Sequence, residues 1–168
     1  MNQKFEFQLF PKEAGIWAYI YLLYLVIPVY SLKFYTLPYQ VIGIFLFGIF
    51  IMAYRELYFG NKYFTFWLIV QIIIIFFFSM KYHPFYLFMG FFPANFIGLY
   101  RKRSMFYSML SILIFSQLLP FFLHFQWLKE HLSEEFLFLF PALLLVMFMM
   151  PFGVQTMRKQ QDLKKQLS

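Results

Sequence analysis

The chain has 168 residues, 62% hydrophobic and 12% charged, with a mean hydropathy of +0.68. Soluble domains are about half apolar and a quarter charged, so the composition excludes a water-soluble domain and predicts a surface that faces lipid. No cysteine is present, which removes disulfides, thiol catalysis, cysteine metal sites and palmitoylation; the net charge of +7 falls in short clusters between apolar runs, pointing to anionic headgroups rather than nucleic acid.

In chain order, the first ten residues carry Glu6 and are mostly aromatic, and the apolar run from Ile16 has no small-residue cleavage site, so residues 1–15 are read as an interfacial segment and not a cleavable signal. A hydrocarbon core about 30 Å thick takes about 20 helical residues. Six apolar stretches approach that length, at 16–32, 36–54, 63–80, 84–100, 105–125 and 136–155, and none contains Asp, Glu, Lys or Arg. The predicted fold is all-α: a polytopic integral membrane bundle over 16–154 with six transmembrane helices, consecutive ones antiparallel. Five spans result if the third and fourth stretches form one span or a re-entrant loop.

Six spans place Lys4, Lys12, Arg55, Lys62, Arg101, Lys102, Arg103, Arg158, Lys159, Lys164 and Lys165 on one side and Lys33, Lys81 and Lys129 on the other. The positive-inside rule then predicts a multi-pass plasma-membrane protein with both termini cytoplasmic. Trp17, Tyr35, Tyr54, Tyr63, Trp67, Tyr100 and Trp127 near the stretch ends suit aromatic belts, although a chain with 26% aromatic residues places some at any boundary.

Intramembrane chemistry keeps ionisable groups at mid-depth, and the stretches have none. His83, His124 and His131 lie in or near the outer breaks with no metal-ligand spacing; they read as interfacial side chains, pH sensing by His131 beside Glu130 and Glu134 being the alternative. No catalytic residue, cofactor site or metal site is predicted. Gly90, Ala94 and Gly98 form a smooth stripe on the fourth helix, with Asn95 beside it, and Ser104, Ser108 and Ser111 form another on the fifth. These are candidate packing positions, because helices in lipid associate through small residues and side-chain hydrogen bonds. The stripes are read either as a contact that shifts during signalling or as static packing. Lys12, Glu13, Arg101, Lys102 and Arg103 are candidate interfacial depth markers.

From Gln155 to Ser168 the composition switches to helix formers without Gly or Pro, so the sixth helix is expected to continue into the cytoplasm over 155–168 as the start of a signalling helix. Gln160, Leu163 and Leu167 fit a heptad phase, and a homodimer through this helix is expected; a basic stop-transfer tail is the bland alternative. The chain ends in mid-helix, as a piece of a longer protein would. Pro151 and Gly153 are placed to couple tilt of the sixth span to rotation of that helix.

The Phe5-Glu6-Phe7-Gln8 run before Ile16-Trp17, the Ala94-x-Phe96-Ile97-Gly98 run leading to Arg103, and Pro151-Phe152 entering a charged helix resemble the membrane sensor region of DesK-type sensor histidine kinases. The resemblance implies a multi-span domain that senses membrane order or thickness, or another envelope signal. It also implies a two-helix coil to a dimeric kinase core carrying the phosphoacceptor histidine and the ATP-binding domain, through which alone a response regulator is reached. No histidine here matches the phosphoacceptor, so this chain is expected to have no enzymatic activity of its own. A small transporter subunit and a stand-alone accessory or scaffold protein are the rival readings.

Overall fold

Pro28 shapes the first apolar stretch: its ring has no N–H for the Tyr24 carbonyl and crowds it. The helix accordingly divides at Tyr24 and Leu25 into α1 (Trp17–Leu23) and α2 (Val26–Ser31), the junction closed by i→i−3 bonds from Tyr24 to Tyr21 and from Leu25 to Leu22. The structure, a computed structural model, describes residues 9–11 and 15–168. Most of the expected interfacial segment, including Phe5 to Gln8, Lys12 and Glu13, lies outside the described residues.

A 3₁₀ turn, Leu32–Phe34, then leads to α3 (Leu37–Phe59), and the chain continues through α4 (Phe64–Lys81). α3 outlasts its apolar run, which ends at Tyr54, because polarity does not stop a helix; Gly60 does, adopting the left-handed conformation at φ 62° and donating to the Glu56 carbonyl. The added turn carries an Arg55–Glu56 ion pair at 2.7 Å.

Two compact units divide the chain between Val70 and Gln71. In the first, α3 buries Phe47, Phe50, Ala53, Tyr54 and Leu57, a stripe with helical spacing. A Cβ on Gly43 would come within 2.6 Å of Leu32 Cδ2, so the glycine admits the 3₁₀ turn against α3. Tyr54 donates its hydroxyl proton to the Ala18 carbonyl at 3.1 Å, and the Phe10 ring meets Tyr19, Tyr54 and Tyr58 edge-on with centroids 5.0 to 5.4 Å away.

The second unit begins within α4 and continues as a 3₁₀ helix (Pro84–Gly90) passing directly into α5 (Phe91–Ile97). Pro93 denies the Met89 carbonyl its i+4 donor, which favours i→i+3 closure in the turns before it. α6 (Arg103–Leu123), α7 (Phe125–His131) and α8 (Glu134–Leu167) complete the unit. The break expected over 126–135 thus holds a short helix, anchored by buried Leu128 beneath otherwise exposed residues. Ser133 caps α8 by accepting from the Phe136 N–H at 3.5 Å.

By length and hydropathy, Trp17–Phe34, Leu37–Phe59, Phe64–Lys81, Arg103–Leu123 and Glu134–Leu167 can each cross a membrane, while Pro84–Ile97 is shorter. An all-helical, multi-span membrane protein is therefore borne out; among the described residues there is no strand.

Candidate functional site

The Pro84–Ile97 segment is a rod of seven 3₁₀ and seven α-helical residues, about 25 Å long at the rises of those helices. It lies along α8 in register. Phe85 and Phe88 meet Phe140 with ring centroids 5.8 and 4.7 Å apart, and Phe121 of α6 stacks on the same ring at 5.5 Å. One step further, a Cβ on Gly90 would come within 2.6 Å of Met147 Sδ and 2.5 Å of Gln117 Nε2. Beyond that, a Cβ on Gly98 would fall 2.6 Å from both the Pro151 carbonyl oxygen and Val154 Cβ. At the far end, Arg158 donates to the Leu99 carbonyl oxygen and, at 3.3 Å, to that of Tyr100. The partners on α8 therefore extend from residue 140 to residue 158, about 27 Å of helix.

Bare glycine backbone makes this seam possible. At Gly90 the space is filled by the ends of flexible side chains, whereas at Gly98 it is filled by backbone and a branched side chain, the tightest point of the contact. Ala94 is fully buried between them, and Asn95 is half-buried. The glycine stripe is thus matched by α8 and Gln117. Ser104, Ser108 and Ser111 take another direction: all three are exposed, and Ser111 donates to the Tyr107 carbonyl of its own helix at 2.8 Å.

Of the positions expected to relay tilt, Pro151 is buried against Gly98, while Gly153 is exposed with open space around it. α8 passes through both without interruption and continues to Leu167, leaving Leu163 and Leu167 exposed. Arg101, Lys102 and Arg103 are exposed at the start of α6, beside the carbonyls that Arg158 holds.

Four polar side chains are buried in this unit: Ser79 and Ser116, which donate to the Phe76 and Leu113 carbonyls of their own helices, and two glutamines. Gln71 is fully buried with neither amide atom partnered among the described residues, and Gln117 is 1% exposed with its Oε1 unpartnered. In the sequence Arg158 reads only as a cytoplasmic charge, with no sign of its reach to the carbonyls that follow the rod. Its position one helical turn past Val154 is a signal only once the register with Gly98 is known. Among the described residues no group of three or more His, Cys, Asp or Glu could hold a metal ion. What the seam can do is mechanical: motion of the rod and motion of α8 are coupled along their shared length.

Residues 2–154 match the family described as the DesK N-terminal domain. The sensor histidine kinase YvfT of Bacillus subtilis (strain 168) is 36% identical over 162 residues, 95% of this chain and 43% of that protein, so the chain spans less than half the length of this relative. No solved structure matches.

Proposed function

Since the chain belongs to the DesK N-terminal domain family, we propose that it is the membrane sensor of a two-component sensor histidine kinase and relays membrane order or thickness through α8. The observation that carries this reading is the seam, because a rod held to α8 from Phe140 to Arg158 cannot tilt alone. Helices of mismatched apolar length incur fractions of a kcal/mol per Å of bilayer thickness. The rod, about 25 Å long, falls short of a hydrocarbon core of about 30 Å, so thickening the bilayer strains it more than its longer neighbours.

The same register supports reading the rod as a sixth crossing, its partners covering most of a bilayer's width. The Lys and Arg distribution then supports cytoplasmic termini and a cytoplasmic continuation of α8. Exposed Leu163 and Leu167 suit a homodimeric coil with a second copy. In the longer protein this coil leads to a kinase core, which supplies the phosphoacceptor and meets the response regulator.

Joining the chain to such a core and measuring autophosphorylation in vesicles of graded acyl length tests the reading. A thickness change of several Å is expected to alter activity up to about tenfold, since about 1.4 kcal/mol is a factor of ten. Activity independent of acyl length would remove membrane thickness as the signal.

A further inference from the structure

The end of α6 opposite Arg103 brings together all three histidines of the chain. His83 sits in the turn between α4 and the rod, His124 between α6 and α7, and His131 at the end of α7. Trp127 joins two of them: the His83 ring meets it edge-on at 5.0 Å and 88°, and the His131 ring stacks on it at 4.3 Å and 14°. His131 Nδ1 lies 2.8 Å from the Trp127 carbonyl oxygen. His83 also caps the rod, its Nδ1 accepting from the Phe85 N–H at 3.2 Å.

We propose that this cluster is a proton-operated release: neutral His83 caps the rod and holds its first turn against Trp127 of α7, and protonation of His83 frees that turn. A ring nitrogen accepts a hydrogen bond only while it carries no proton. Protonated Nδ1 faces the Phe85 N–H donor to donor, and it sets a positive charge at a helix N-terminus, where the aligned peptide dipoles repel it.

Burial, and secondarily the charge of His124, hold His83 below the ordinary imidazole value of 6.5. The titratable and charged groups on the elements around it are Lys81 and Tyr82 on its own side, Tyr86 of the rod, His124, then Lys129, Glu130 and His131 of α7, and Glu134 and Glu135 at the start of α8. Among them it is His124 whose charge bears on His83. His124 Nε2 is itself buried and unpartnered among the described residues.

The sign follows from the two arrangements of His83. In the released turn the ring is hydrated and titrates near 6.5; in the capped turn it titrates lower. Above that range both are neutral and the cap holds. As the pH falls below it, the released form takes up the proton first and gains population, until the capped form would also be protonated. The next rings along the rod, Phe85 and Phe88, bear on Phe140 of α8. The effect on signalling rests on the sensor reading above; the release itself does not.

The 168-residue chain in phospholipid vesicles provides the test. Having no native cysteine, it accepts spin labels at exposed Lys81→Cys and Lys129→Cys, and their separation is read by pulsed electron spin resonance from neutral pH to about pH 5. A narrow distribution at neutral pH that lengthens by several Å and broadens in acid is expected. His83→Asn, whose side-chain oxygen can accept the same N–H without titrating, should hold the neutral distance throughout. A pH-independent distance in the unsubstituted-histidine chain, or a His83→Asn chain that responds as strongly, overturns the proposal. Neither outcome touches the acyl-length experiment, and a kinase indifferent to acyl length leaves the release standing.

Discussion

The Arg158 guanidinium donates to the Leu99 carbonyl oxygen, joining positions 59 residues apart. The two carbonyls it serves follow the end of α5, where helix carbonyls lack intrahelical donors and the dipole favours a cation. This bond fastens the end of the seam just before α8 becomes a charged, exposed helix.

Arg158→Ala should loosen that end. A hydrogen bond from a charged group contributes about 1.5 to 3 kcal/mol, and the partial exposure of Arg158 reduces this to about 1 kcal/mol. Unfolding in mixed micelles should shift by that amount. Amide exchange in residues 155–167 should rise more than in Phe140–Pro151; uniform exchange along α8 would show that the bond does not fasten its end.

Gly98→Ala should be more damaging than Gly90→Ala. The added methyl at Gly98 meets the Pro151 carbonyl and Val154 Cβ, which move only if the helices part, and overpacking of this kind costs about 1 to 3 kcal/mol. At Gly90 the methyl meets the ends of Gln117 and Met147, which can swing aside, and alanine's better helix propensity offsets part of the strain. The same unfolding measurement on both variants checks the order, and equal losses would contradict it.

Tyr54→Phe removes the hydroxyl that holds the Ala18 carbonyl while keeping the ring against Phe10. A loss of about 0.5 to 1.5 kcal/mol is expected, confined to the first unit. Exchange of the α1 amides should report it, with α6 and α8 unaffected.

Gln71→Leu should stabilise the second unit by about 1 to 3 kcal/mol, because it replaces an unpaired buried amide with an apolar side chain of similar size. A destabilised variant would contradict the reading of this amide as unpaired.

The membrane class, the apolar helices and the continuation of the last helix are legible in the sequence, since hydropathy, run length and helix-forming composition are local properties. Edges failed where a local rule competes with hydropathy. The apolar run 16–32 concealed the division at Tyr24, which follows from Pro28 four residues on, and α3 continued past Tyr54, where its uninterrupted apolar run ends. The glycine stripe was visible as a stripe, but its partner was not. Spacing along one helix says which residues share a face, never which other helix fills it. Only the tertiary structure matched Gly90 and Gly98 to α8, turned Ser104, Ser108 and Ser111 outward, brought His83 onto Trp127 beside His131, and brought Arg158 to Leu99. Each of these depends on the relative rotation and register of packed helices, which no single stretch of this chain encodes on its own.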